Sequence, residues 1–184
     1  QFYVTEKLDG SSATFYWKDG VFGVCSRNLE LLETEGNTFW KVAREMKLEE
    51  KLAANGHNLA LQGELIGEGI QGNPYKIKGQ TVRFFNVFDI DNQVYYGLPM
   101  FLATIHITIG AETVPIVDSN FLLPDTVERM IEYADGISEL NINARREGVV
   151  VRSYDRSISF KAISNQFLLT DGSNSLIFCS NKSF

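Results

Sequence analysis

Lys7 stands in the run Glu6-Lys7-Leu8-Asp9-Gly10-Ser11-Ser12, one amine between acidic neighbours, after the extended residues Phe2, Tyr3 and Val4 and just before a Gly-Ser-Ser turn. That setting projects the amine from a strand end, where a covalent lysine nucleophile would sit. A lysine attacks only as the neutral amine, and its ordinary pKa of about 10.4 makes that form scarce unless a cation or burial depresses it. If the electrophile is a nucleotide phosphorus, a metal carried by the phosphates can supply the depression. Taken alone, the run reads first as an exposed hairpin, with Asp-Gly turn chemistry and Ala13, Phe15 and Trp17 alternating on a returning strand. The rest of the chain decides between the two.

Further groups with chemistry recur at strand ends. Arg27 follows an extended stretch over 21–26 and is either a solvated loop arginine or a donor fork for a ribose or phosphate. Glu64 is one carboxylate in the apolar strand 59–67, a costly placement unless it is paired or functional. Residues 67–72 fit the dinucleotide pattern G-x-G-x-x-G, but Asn73-Pro74-Tyr75 breaks the chain where that pattern needs a helix, so the match is a decoy. The strand over 82–90 places Phe84, Asn86 and Phe88 on one face and Phe85 and Val87 on the other; Phe88, near its end, can stack on a base. Glu147 sits at the mouth of a strand over 145–152. Lys161 ends its hairpin partner over 157–163, on the face of Ser157 and Ser159.

The elements that must position these groups are short. Residues 2–8 and 13–17 read as a strand pair, with 21–26 a third strand and 114–117 a later one. Asn37 caps a helix with apolar positions Phe39, Trp40, Ala43 and Met46, a second helix over 48–54 ends at Asn55-Gly56, and Asp125-Thr126 starts a third that runs to about residue 134. At 184 residues, 44% hydrophobic and 22% charged, the chain reads as one domain, 1–184, with a polar Ser/Asn-rich tail over 171–184. A net charge of -6 argues against nonspecific coating of nucleic acid but permits a local basic groove. Cys25 and Cys179 are too few for a disulfide framework or a zinc site, which points to a reducing, intracellular setting; with His106 they read as structural, and His57 reads as a surface loop histidine. The apolar stretch 98–109 is interrupted by Thr104, His106 and Thr108 and falls short of the roughly 20 residues that span a bilayer, so no membrane role is expected. The chain starts at Gln1 in mid-strand, and upstream sequence is expected to be missing.

In this order, Lys7-x-Asp9-Gly10, Ser26-Arg27, Gly63-Glu64-Leu65, Phe88-Asp89-Ile90, Glu147-Gly148-Val149 and Phe160-Lys161 resemble motifs I, Ia, III, IIIa, IV and V of the covalent nucleotidyltransferases. That superfamily comprises ATP-dependent DNA ligases, RNA ligases and mRNA capping enzymes. The flanking words, running from Glu64 through Asn73-Pro74-Tyr75 and from Lys161 through Ser164-Asn165, are most similar to RNA ligases of the Naegleria type. The resemblance implies an α+β fold of two antiparallel β-sheets flanked by helices, with the nucleotide site between them. It also implies an ATP-dependent RNA ligase: Lys7 takes AMP from ATP, passes it to an RNA 5′-phosphate, and a 3′-hydroxyl displaces it in repair of broken RNA.

The family's roles carry over by position. The backbone carbonyl of Glu6 reads adenine, Arg27 and Glu64 hold the ribose, Phe88 stacks on the base and Lys161 neutralises the α-phosphate. Asp9, Glu64 and Glu147 hold, through water, a divalent ion, Mg2+ or Mn2+. RNA ends, including nicked duplex RNA, are the implied partners of a monomer. Ser159 departs from the pattern, since many members carry a lysine there; Lys76, Lys78 or Arg152 is expected to compensate. No OB-fold follows motif V, which implies an upstream accessory domain or an isolated catalytic piece. A DNA ligase fragment, a GTP-using capping domain and a noncatalytic nucleic-acid-binding module are the competing readings, and ATP-dependent thermal stabilisation would set the last apart.

Overall fold

The extended run at the start of the chain divides at Asp9. In the computed structural model, which describes residues 1–170, Gln1–Asp9 and the chain from Val114 onward form one compact unit, and Gly10–Thr113 another. β1 (Phe2–Lys7) belongs to the first and β2 (Ser11–Lys18) to the second. The expected pairing of these two strands is therefore incorrect. Four consecutive residues of β1, Tyr3 to Glu6, are buried, a pattern that needs cover on both faces and a neighbour on each edge. A lone hairpin supplies neither. The tight turn instead hands the chain from one sheet to another.

The first unit is an antiparallel sheet in the order β7-β1-β8-β9, where β7 is Ile116–Phe121, β8 Gly148–Ser153 and β9 Ser159–Ile163. β7 starts later than the strand expected over 114–117. On one face Val4, Val149, Val151 and Ala162 close on Phe121 and on Met130 and Ala134 of α4 (Val127–Ala134). Thr126 caps that helix, its hydroxyl accepting the Arg129 N–H at 3.3 Å.

The second unit has five strands in the order β3-β2-β4-β5-β6: β3 Val21–Cys25, β4 Leu59–Gly67, β5 Gln80–Asp89 and β6 Val94–Tyr95. Its apolar face buries Phe15, Leu61, Phe84 and Val87 completely, with Phe15 and Phe84 edge-on at 6.2 Å. α1 (Thr38–Glu45) is capped by Asn37 as expected. α2 (Leu48–Asn55) ends on left-handed Gly56, packs on β2 and buries Leu48 and Leu52. The apolar stretch 98–109 forms α3 (Leu98–Ala103), followed by a π-helical segment Thr104–Ile109. Among the described residues no helix is long and apolar enough to cross a membrane. No helix lies between Gly67 and the start of β5 at Gln80, in keeping with rejection of the dinucleotide motif. The tail over 171–184 and Cys179 lie outside the described residues, and α5 (Asn165–Thr170) is the last element within them.

Candidate active site

Pleating sorts β1 into two sets. Val4 and Glu6 share the face that packs on α4, while Tyr3, Thr5 and Lys7 share the other. Register extends the second set across the sheet in rows: Lys7 opposes Gly148 and then Ile163, Thr5 opposes Val150 and then Lys161, and Tyr3 opposes Arg152 and then Ser159. Gly148 puts no side chain beside Lys7. Into that space comes Glu147, whose Oε1 accepts from Lys7 Nζ at 2.5 Å, with the side chains 24% and 17% exposed for Lys7 and Glu147 respectively. Lys161 is exposed one row away and Asp9 is half-buried just past β1. Ser157 departs from expectation. It lies before β9, its N–H and hydroxyl donating to Asp155, so strand alternation does not govern it.

The polar face of the second unit depends on an irregularity. β4 and β5 pair as Gln62 with Asn86 but Gly63 with Phe84, leaving Phe85 as the extra residue of a bulge. Phe84 is consequently on the apolar face with Leu61, Gly63 and Leu65, and not on the face of Asn86 and Phe88 as simple alternation placed it. The other face gathers Ser12, Gln62, Glu64, Arg83, Asn86 and Phe88. Asn86 Nδ2 donates to Gln62 Oε1 at 3.0 Å, and Phe88 meets Tyr95 edge-on at 5.0 Å. Gly63 allows the bulge, since a Cβ there would stand 2.5 Å from Val82 Cγ1. Gly10 has a similar reason: its Cβ would come 3.0 Å from Glu64 Cγ and closer still to β4 backbone, so the turn after Lys7 can lie against the Glu64 strand only as glycine. Arg27 is exposed in a turn held by the Ser26 N–H donating to the Leu29 carbonyl at 2.9 Å.

These two faces carry Lys7, Lys161, Glu64 and Phe88, while Arg27, Asp9 and Glu147 lie in loops and the Glu6 side chain lies on the opposite face of β1. A family model described as RNA ligase matches residues 1–163. The chain belongs to the RNA ligase family. Among solved structures it is similar to Naegleria gruberi RNA ligase: to a point mutant in apo form at 44% identity and TM-score 0.89, over 93% of this chain and 51% of that one. A point mutant with ATP and Mn matches at 44% identity and TM-score 0.89, over 94% and 52%. The ligase with PPi matches at 45% identity and TM-score 0.87, over 93% and 51%. The chain thus spans about half the length of the ligase structures it matches. No curated protein matched it. The α+β fold of two antiparallel sheets flanked by helices is the one these RNA ligases share.

Glu6 is the family residue whose side chain turns away from Lys7. It is 1% exposed, and its Oε2 accepts the Glu139 N–H at 2.8 Å. Burial pushes its carboxyl above the ordinary 4.5, opposed by the Ser138 hydroxyl, that Glu139 N–H and the nearby Arg146 guanidinium. Arg146 was not singled out from sequence, yet it braces the same loop. Its Nε donates to the Ala134 carbonyl at 2.9 Å and Nη2 to the carbonyls of Asp135, at 3.1 Å, and Tyr133. A guanidinium that closes the end of α4 thereby fixes the residue immediately before Glu147. The signal available was its place beside a motif glutamate. Arg145, one residue further from Glu147, is an arginine of the same kind, so sequence alone could not choose between the two.

Proposed function

We propose that this chain is the adenylyl-transferring part of an ATP-dependent RNA ligase. The observation that carries the reading is the 2.5 Å contact of Lys7 Nζ with Glu147, one row from Lys161 on the same sheet face. A short, half-buried ion pair holds a flexible lysine at one point, and positioning of a nucleophile is worth several orders of magnitude in rate. Lys7 Nζ attacks the α-phosphorus of ATP, the N–P bond forms, the P–O bond to pyrophosphate breaks and the amine gives up its proton. An RNA 5′-phosphate oxygen then displaces the lysine, and a 3′-hydroxyl displaces AMP as the strand is sealed.

Lys161 neutralises the charge that builds on the α-phosphate. Phe88 offers a ring face to the base, Glu64 and Arg27 offer an acceptor and a donor to the ribose, and Glu6 contributes through its backbone carbonyl. Among the described residues no three acidic, His or Cys side chains gather to bind a metal directly. Dispersed carboxylates such as Asp9, Glu64 and Glu147 suit Mg2+ or Mn2+ that keeps its water shell. Such an ion would shield phosphate charge and favour the neutral amine. RNA ends, nicked duplex among them, are the acceptors in this reading. The protein acts as a monomer inside the cell, where its part in RNA repair calls for broken ends.

The test is an intact mass of the purified chain after incubation with ATP or GTP and Mg2+ or Mn2+, beside Lys7→Ala. One added AMP, dependent on ATP and absent from the variant, is the expected result. A GMP adduct would move the chain to capping chemistry, and ATP binding with no adduct would overturn the reading in favour of a binding module.

A further inference from the structure

The word Lys161-Ala162-Ile163-Ser164-Asn165 ends in two residues to which the motif roles give no task. Ser164 is fully buried, and its backbone N–H donates to the Glu147 carbonyl at 2.8 Å. Because Gly148 opposes Ile163, this bond carries the pairing of β8 with β9 one residue past both strands, to Glu147, the partner of Lys7. The Ser164 hydroxyl has two contacts of its own. It donates to Asp135 Oδ1 and accepts the Phe167 N–H at 3.1 Å, at the start of α5.

Asp135 lies just past the end of α4, and the two supports of Glu147 meet on it. Its carboxylate accepts from the Ser164 hydroxyl and, at 3.4 Å, from the Gln166 N–H. Its carbonyl accepts from Arg146 Nη2 at 3.1 Å. Arg146 is the chain neighbour of Glu147 and Ser164 its partner across the ladder, so one residue ties Glu147 from both directions. The helix behind Asp135 is anchored in the core through Met130 and Ala134. An ion pair between two long side chains costs side-chain entropy to hold in one geometry, and a main chain already fixed at Glu147 lowers that cost.

We infer that Asp135 is a positioning residue: through Ser164 and Arg146 it sets where Glu147 stands, and through Glu147 where the Lys7 amine stands. This rests on the reading of Lys7 as the adenylated residue. Asp135 itself meets no reacting group, so its loss acts on the rate at saturating ATP and not on the binding of ATP.

The experiment measures single-turnover AMP addition to the whole chain, with ATP titrated to saturation and thermal melting alongside, for the wild type, Asp135→Ala, Glu147→Gln and the double variant. A misplaced nucleophile predicts a fall of about 10- to 100-fold in the saturated rate of Asp135→Ala, with half-saturation by ATP within about three-fold of wild type. In the Glu147→Gln background the same substitution should cost less than about two-fold, because the contact through which it acts is already lost. A residue that only supports the fold would slow both backgrounds equally, or would lower the melting temperature and leave the rate unchanged; either result overturns the inference. Should Asp135→Ala melt below the assay temperature, Ser164→Ala asks the same question by removing a single hydroxyl. It should lose about 10-fold at saturating ATP and nothing further beside Glu147→Gln, and a wild-type rate, or a loss repeated in that background, overturns the inference. A wild-type chain that takes no AMP is a different failure, since every variant is then equally inactive, and it overturns the Lys7 reading itself.

Discussion

The two sheets present polar faces of different kinds. In the first unit the register breaks fall between β1 and β7, while β1, β8 and β9 pair without a shift, so Lys7, Lys161 and Arg152 occupy successive rows. The face of the second unit exists because β5 breaks alternation at Phe85, which sends Phe84 into the core and leaves Asn86 and Phe88 with Gln62 and Glu64. The regular face carries cations and suits phosphate chemistry. The bulged face carries an amide pair, a carboxylate paired across the strands with Arg83, and an aromatic ring, groups suited to a base and a sugar. A regular pleat spaces like charges at a fixed period, whereas a bulge re-aims a few side chains without moving the strand.

If that division of labour holds, variants on the two faces fail in different ways. Glu147→Gln should have the larger effect, because Gln cannot form the ion pair that holds Lys7. AMP addition at saturating ATP should fall by about 100-fold or more, and a rate within a few-fold of wild type would remove the pair from the chemistry. Phe88→Ala should instead weaken half-saturation by ATP. Base stacking on an aromatic is worth about 1–3 kcal/mol, equivalent to roughly 5- to 150-fold in affinity, with the rate at saturating ATP little changed. The two faces would lose their distinction if Phe88→Ala lowered the saturated rate and left half-saturation alone.

The same contrast explains what was legible in the sequence. Strand alternation put Lys161 on the face of Ser159, and motif order singled out Glu147 only as a carboxylate for a hydrated metal; its contact with Lys7 came from the structure. Caps did the same for helices: Asn37 and Gly56 start and end the elements they were expected to, and α4 starts within the arrangement expected over 125–128, with Thr126 as its cap. The bulge was not legible, since Val82-Arg83-Phe84-Phe85-Asn86 offers two adjacent phenylalanines and no turn residue to say which is the extra one. Gly63 was the clue on the opposite strand. The crossing between sheets at Asp9-Gly10 was hidden for a related reason: Asp-Gly also makes the commonest hairpin turn. Arg146 was missed because its partners are backbone carbonyls, which leave no pattern in a sequence.

The smallest effect tests how the loop before Glu147 is braced, and its sign differs between two carboxyls of the same unit. Glu6 is buried and its pKa is raised above 4.5. Between the ordinary and the raised value the native state keeps a proton that the unfolded chain has lost, so the stability Glu6 contributes is complete below about pH 4.5 and declines as pH rises through the raised value. Asp155 is the reverse. Hydrogen bonds from the Ser153 and Ser157 hydroxyls and the Ser157 N–H push it down to about 2, so its contribution is present above the ordinary 3.8 and lost as pH falls toward 2. Melting temperatures between pH 3 and 8 should therefore show Glu6→Gln gaining on the wild type as pH rises, by about 1.4 kcal/mol for each tenfold change in proton affinity. Asp155→Asn should lose its deficit as pH falls. A Glu6→Gln curve parallel to the wild type would mean that the Glu139 N–H and Arg146 compensate fully for burial, and that the carboxylate is as well solvated in the fold as in water.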